Sequence, residues 1–169
     1  MSSERGGQSE ARLFTIGHAR HTLERFFSLL HGHSIQVVVD VRAKPSSRPA
    51  RHFNKAELQQ ALAARGINYL YLGKDLGANP ADVTDDNLRA AREHAYAAAL
   101  ERVLDLSRRA KVALLGAEED PAGCHRYALL APDLEARSEG GQVWHLRGNG
   151  KLEDDEAVQR RQEPQLSLL

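Results

Sequence analysis

Cysteine, excess charge of one sign and long apolar runs are all scarce in this 169-residue chain. Cys124 is the single cysteine, so an internal disulfide framework is excluded and the cytoplasm is the expected compartment. Lysine plus arginine equals aspartate plus glutamate, at 23 each, so binding to nucleic acid would need a local basic patch. With no recognisable signal peptide or membrane-length apolar run, no membrane partner is expected.

Sequence motifs for common cofactors are also missing. The chain has no G-x-G-x-x-G or Walker motif, so no tightly held dinucleotide or triphosphate is predicted. It has neither HExxH nor CxxC spacing, and a metal held by His18, His125, His145 and Glu118 is therefore the weaker alternative. We predict no metal and no cofactor.

Strand patterns alternate with helix patterns along the chain. Strand-like apolar runs lie at residues 12–16, 35–41, 67–72, 112–115 and 143–146. Helical spacing predicts helices over 22–32, 54–66 and about 85–109, and a further helix that begins near Cys124 and is interrupted or ends near Pro132. Residues 73–80 are predicted to be a glycine-rich loop. This alternation predicts an α/β fold, a single Rossmann-like domain with a mostly parallel sheet flanked by helices. We expect that domain over residues 11–152, a disordered polar tail over 1–10 and a polar, frayed segment over 153–169.

The stretch from Lys111 to Arg126 passes from a buried-strand pattern into a cluster of reactive side chains. Glu118 follows the apolar run directly, and a partly desolvated carboxylate there would suit general acid or base catalysis. Cys124, His125 and Arg126 are expected in the first turn of a helix, where free N–H groups favour an anion or a thiolate. Alternatively, Cys124 is a small buried group without reactivity.

Two further strand ends, and the last strand itself, carry polar side chains. In open α/β sheets ligands bind beyond the carboxyl ends of the strands, which is where His18, Asp40 and Arg42 fall. Asp40 and Arg42 share one side of their strand, so they form either a structural ion pair or a site where Asp40 orients Arg42 toward a substrate anion. His18 is either a helix-entry residue or a ligand-facing imidazole, and His145, in the last strand, is buried or faces substrate.

The segment from Ala43 to Asn54 is predicted to be a basic loop without regular structure. It contains two prolines and the side chains of Lys44, Arg48, Arg51 and His52. The loop is either simply solvated, or it holds phosphates through residues such as Arg48 and the following Lys55 while Phe53 or His52 stacks on a base.

Several short motifs, in this order, resemble the domain-of-unknown-function 488 family. They are TIGH at 15–18, VDVR at 39–42, KPSSR at 44–48, FNK at 53–55, LLGAEEDP at 114–121, CHR at 124–126 and WHL at 144–146. The resemblance covers about residues 13–152 and implies a compact Rossmann-like α/β domain, but no settled activity. The family commonly has a cysteine at the position of Gly116, so its absence argues against a mechanism that needs two cysteines here.

Three classes of function fit these observations, and the sequence indicates no oligomeric state. The leading hypothesis is an enzyme with hydrolase or N-glycosidase-type chemistry on a small-molecule, nucleotide or nucleic-acid substrate. Its candidate catalytic residues are Glu118, His18, Cys124 and Asp40, and its candidate substrate-binding residues are Arg42, Arg48, Lys55, His125, Arg126 and His145. The alternatives are a sulfur-handling enzyme with Cys124 as carrier, and a noncatalytic module that binds nucleotide or nucleic acid.

Overall fold

A six-stranded, mostly parallel sheet forms the centre of the protein. The computed structural model describes residues 10–122, 124 and 126–163. Its strands are β1 (Leu13–Gly17), β2 (Val37–Asp40), β3 (Asn68–Tyr71), β4 (Val112–Gly116), β5 (Val143–Leu146) and β6 (Leu152–Glu153). They lie in the order β3-β2-β4-β1-β5-β6, with β6 antiparallel to β5 and the other described pairs parallel. This arrangement confirms the predicted Rossmann-like α/β fold.

The helices begin largely where the sequence predicts. They are α1 (Leu23–Gly32), α2 (Lys55–Ala63), α3 (Gly73–Leu76), α4 (Asp86–Arg109), α5 (Ala131–Arg137) and α6 (Asp155–Gln162). Thr22 caps α1 and Asp85 caps α4, each accepting a backbone N–H three residues later. Asn54 precedes α2 but does not cap it, because its side-chain oxygen accepts the N–H of Ser47 instead.

The sheet separates two hydrophobic cores. Helices α1 and α2 pack on one face, against side chains such as Phe14 and Leu115. Helices α3, α4 and α5 pack on the other, against residues such as Val39 and Leu114. Because helices cover both faces of the sheet, all side chains of β2 and β4 are buried. This explains why the sequences of these two strands are mostly apolar without alternating polar residues. Within the described residues no helix has the length and apolar character needed to cross a bilayer.

After adjacent strands of this sheet, the chain continues to helices on opposite faces. From β1 and β2 the chain continues to α1 and α2 on one face, whereas from the intervening strand β4 it continues to α5 on the other. Loops that diverge in this way leave a crevice at the carboxyl ends of the strands. The fold therefore provides an opening between the loop that follows β4 and the loops that follow β1 and β2.

Residues 149–163 include regular structure that packs on the domain, contrary to the predicted frayed end. They include β6 and α6, Val158 is fully buried, and an Asp155 side-chain oxygen lies 2.7 Å from a ring nitrogen of His145. A single buried valine in a charged helix is too weak a pattern to reveal this contact from sequence. Residues 1–9 and 164–169, in the predicted terminal segments, lie outside the described residues.

Two segments rich in glycine or proline contain helices. Residues 73–80, predicted as a loop, include α3, and the predicted loop at 43–54 contains a short 3-10 turn at Arg51–Phe53. Pro132, predicted to interrupt or end a helix, lies in the first turn of α5, after a π turn at Arg126–Leu130. A proline fits there because the first turn needs no N–H donor to the preceding turn.

Two glycines allow the loops around the crevice to approach closely. A Cβ atom on Gly17 would lie 1.6 Å from the backbone oxygen of Glu118, and a Cβ atom on Gly73 would lie 1.9 Å from that of Arg42. Both distances are far below van der Waals contact, and both partners are main-chain atoms. Glycine is therefore required at these positions by the contact itself.

We predict that Gly17→Ala destabilises the protein by about 1–3 kcal/mol, because the added methyl group must push the main chain at Glu118 away. Gly32→Ala is the matched control, since a Cβ there meets nothing within 4 Å, and it should be neutral or slightly stabilising in α1. Urea denaturation of both variants measures the difference. Equal midpoints for the two variants would contradict the close approach.

Candidate functional site

A cavity of about 410 Å³ occupies the crevice at the carboxyl ends of β1, β2 and β4. Loops that follow these three strands supply most of its lining, and Gly77 after α3 contributes one wall. The lining residues with polar side chains are His18, Arg42, Lys44, Ser46, Ser47, Glu118 and Cys124. The fold thus brings together residues that are separated by more than a hundred positions in sequence.

Asp40 and Arg42 form a buried, bidentate ion pair at the end of β2. Arg42 Nε donates to Asp40 Oδ1 at 2.9 Å and Nη2 donates to Oδ2 at 2.8 Å, with side chains only 0% and 6% exposed. The Tyr69 hydroxyl donates to the same carboxylate at 2.6 Å. Burial and this hydrogen bond to Asp40 raise the pKa of Tyr69 well above its ordinary value, so the hydroxyl remains a donor.

Arg42 also connects this ion pair to the cavity. Its Nη2 group donates to the backbone oxygen of Phe53 at 2.8 Å, which ties the 3-10 turn to the end of β2. Its Nη1 group makes no hydrogen bond to any residue that the structure describes, and Arg42 lines the cavity. This arrangement leaves one fixed cationic donor for an anionic ligand.

His18 presents a neutral imidazole to the same cavity. Its Nδ1–H donates to the backbone oxygen of Ala19 at 2.9 Å, which leaves Nε2 as an acceptor. The ring stacks on Phe53 with a centroid distance of 4.8 Å, and the residue is 6% exposed. Burial, and to a lesser extent the charge of Arg42, lower the pKa of His18 below its ordinary value. Near neutral pH, Nε2 is therefore available to accept a proton.

The loop after β4 contributes Glu118 and Cys124. Glu118 lines the cavity, but its side chain is exposed, so the desolvation expected from its position after an apolar strand does not occur. The chain leaves the sheet before this residue, and the carboxylate reaches solvent. Cys124 is half-buried and lines the cavity, and its backbone oxygen accepts the N–H of Ala128 in the first turn of the following helical segment.

His145 lies in a separate, buried polar cluster. Its Nδ1 atom is 2.7 Å from Thr15 Oγ1 and its Nε2 atom is 2.7 Å from Asp155 Oδ1. The residue is fully buried in β5, on the side of β1 away from β4, and does not line the cavity. These contacts give His145 a structural role, because they join β1, β5 and α6.

Two other candidate substrate-binding residues, Arg48 and Lys55, are not in the cavity lining. Arg48 and Lys55 are exposed, and Lys55 places its Nζ atom 4.4 Å from the centre of the Tyr71 ring. His125 and the side chain of Arg126 lie outside the described residues. Within the described part of the chain, no cluster of histidine, cysteine and acidic residues is suited to hold a metal ion.

The model of a protein family described as a domain of unknown function, DUF488, matches residues 22–131. The matched span is well over half of the chain. The chain belongs to this family. No curated protein and no solved structure matches it.

The DUF488 match covers β2 to β4 but leaves out β1 and β5. Asp40, Arg42, Glu118 and Cys124 lie within it, whereas His18 lies four residues before its start. Ser46 and Ser47 of the DUF488 domain also line the cavity, although neither is among the site residues predicted from the sequence. Their signal was the KPSSR motif at 44–48, in which a lysine, a proline and then two serines follow shortly after the end of β2.

We predict that Asp40→Asn destabilises the DUF488 domain by about 3–5 kcal/mol, because it leaves the buried charge of Arg42 without its partner. The matched control is Asp105→Asn, which removes the same charge from an exposed pair with Arg108 on α4 and should cost less than about 1 kcal/mol. Urea denaturation of both variants gives the comparison. Similar losses in the two variants would show that the Asp40 pair is not buried.

Proposed function

We propose that the protein is an enzyme that hydrolyses a phosphorylated, nucleotide-like substrate in the cavity between the β1, β2 and β4 loops. The observation that carries the proposal is the presence, in one cavity, of a neutral imidazole with a free acceptor nitrogen and a fixed guanidinium donor. A cavity of about 410 Å³ is within the range of small-molecule sites. The single cysteine favours the cytoplasm as the proposed compartment.

The proposed anion site consists of Arg42, Lys44, Ser46 and Ser47. Arg42 Nη1 is a cationic donor whose position Asp40 fixes, so it needs little reorganisation when a phosphate binds. Lys44 adds a second positive charge in the same lining, and the two serines add hydroxyl donors. Cations combined with hydroxyl groups are the usual protein partners of a phosphate group.

His18 is the proposed general base. Its Nε2 atom takes a proton from a water molecule, the water oxygen bonds to the phosphorus atom or to the anomeric carbon of the substrate, and the bond from that atom to the leaving group breaks. The leaving group receives its proton from solvent at the exposed side of the cavity, where Glu118 lies. In a nucleotide-like substrate the broken bond is either a phosphate ester or an N-glycosidic bond.

A second candidate function rests on Cys124. The thiol is half-buried and belongs to the lining of the same cavity, which is the location that a sulfur-carrying residue would need. In this alternative the cavity binds a small anionic sulfur donor, and the cations that line it hold that donor.

We predict that nucleoside monophosphates raise the melting temperature of the wild-type protein, because a ligand that binds the folded state stabilises it. Lys44→Ala should weaken this shift, whereas Lys55→Ala, which removes a lysine outside the cavity lining, should retain it. Thermal shift measurements with nucleosides, nucleoside monophosphates, inorganic phosphate and thiosulfate test this expectation. A shift with thiosulfate alone would favour the second function, and a shift with none of these ligands would refute the site.

A further inference from the structure

The hydrogen bonds to the Asp40 carboxylate come from two sides. Arg42 donates its backbone N–H to Oδ1 at 3.1 Å, its Nε to the same oxygen at 2.9 Å and its Nη2 to Oδ2 at 2.8 Å. The Tyr69 hydroxyl donates to Oδ2 at 2.6 Å. Tyr69 is therefore a donor that fixes this carboxylate from outside the Asp40–Arg42 pair.

Tyr69 reaches Asp40 from β3, which lies at one edge of the sheet. Val38 is its partner in the parallel register with β2, so the side chains of Tyr69, Val38 and Asp40 lie on one face of the sheet. Helices α1 and α2 cover this face, and Tyr69 packs against their hydrophobic core. The Tyr71 hydroxyl donates to the backbone oxygen of Arg42 at 3.1 Å. Strand β3 thus holds both the side chains and the main chain at the end of β2.

The hydrogen bond from Tyr69 is a strong one. A donor–acceptor distance of 2.6 Å is typical of a hydroxyl group that donates to a charged carboxylate. Burial, followed by the bond to Asp40 itself, raises the pKa of the Tyr69 hydroxyl above its ordinary value. The hydroxyl is therefore protonated and uncharged at neutral pH. It orients the carboxylate without adding a charge of its own beside Arg42.

The orientation of this carboxylate determines where the guanidinium of Arg42 points. Because Oδ1 and Oδ2 each hold one nitrogen of the guanidinium, its plane follows the plane of the carboxylate. The remaining nitrogen, Nη1, is the proposed donor to the substrate anion. Without the Tyr69 hydroxyl, the carboxylate would turn more freely about its Cβ–Cγ bond, and the guanidinium would turn with it.

We propose that Tyr69 is a positioning residue of the anion site, whose hydroxyl holds Asp40 in the orientation that directs Arg42 Nη1 toward the bound phosphate. Tyr69 is not in the lining of the cavity, so it acts through Arg42 and not by contact with substrate. The proposal rests on the proposed function, because it assumes that this cavity binds a phosphate group.

Tyr96 provides a matched control on the opposite face of the sheet. Its hydroxyl donates to Asp133 Oδ2 at 2.6 Å, the same distance as between Tyr69 and Asp40. Burial and the bond to Asp133 raise the pKa of Tyr96 in the same direction. This bond joins α4 to α5, and neither of its residues lines the cavity. Replacement by phenylalanine removes the same group in both cases, but only Tyr69 is connected to Arg42.

Titration calorimetry with inorganic phosphate and with adenosine 5′-monophosphate tests the proposal in the full-length protein. Tyr69→Phe should weaken both affinities by about tenfold, comparable to the loss of a residue that orients a metal ligand. Tyr96→Phe should leave both affinities unchanged. Urea denaturation of the two variants should give similar losses of stability, because each variant loses one hydrogen bond to a carboxylate.

A second background shows whether Tyr69 acts through Arg42. Arg42→Lys retains the positive charge but has no Nη1 atom to direct. In that background Tyr69→Phe should change the phosphate affinity by less than about twofold, because the two substitutions remove parts of one connected unit. A loss of affinity that persists undiminished in the Arg42→Lys protein would show that the hydroxyl acts by another route, and would overturn the proposal.

The same measurements separate this inference from the proposed function. Equal losses of affinity in Tyr69→Phe and Tyr96→Phe would overturn the positioning role. If the wild-type protein binds both ligands in a Lys44-dependent manner and Tyr69→Phe binds them equally well, only the positioning role fails. If the wild-type protein binds neither ligand, the proposed function fails with it.

Discussion

The buried ion pair between Asp40 and Arg42 is the interaction on which the site depends. Both side chains are less than one-tenth exposed to solvent. Two charged groups buried in this way are tolerated only when nearly all of their hydrogen-bond donors and acceptors have partners. The Asp40 carboxylate accepts hydrogen bonds from Arg42 and Tyr69, and Arg42 also donates to the backbone oxygen of Phe53. The pair thereby holds the end of β2, the neighbouring strand β3 and the 3-10 turn in one arrangement.

That arrangement extends to the proposed base. Arg42 holds the backbone of Phe53, and the ring of Phe53 stacks on His18. The imidazole therefore depends on the ion pair for its position, although no direct bond joins His18 to Asp40. The same contacts bury His18 close to the Arg42 charge, which lowers its pKa and keeps it neutral. One buried interaction thus provides both a fixed cation and a neutral imidazole at a single cavity.

The sequence predicts the fold and the location of the site well, but not the chemical state of its residues. Apolar runs and helical spacing are local patterns, and they identified the five longer strands and helices α1 and α4. Because parallel strands end at one edge, the convergence of His18, Arg42 and Glu118 also followed from sequence. The exposure of Glu118 and the contact between His145 and Asp155 did not follow, because each depends on the paths of loops and helices that no local pattern specifies.

The protonation state of His18 can be measured directly. Nitrogen-15 NMR of the imidazole rings, with His18→Asn to assign the signal, reports both the tautomer and the titration of this residue. We predict a proton on Nδ1, where the backbone oxygen of Ala19 accepts its hydrogen bond, and a pKa below the ordinary histidine value of 6.5. A proton on Nε2, or a pKa above 6.5, would contradict the assignment of His18 as a base at this site.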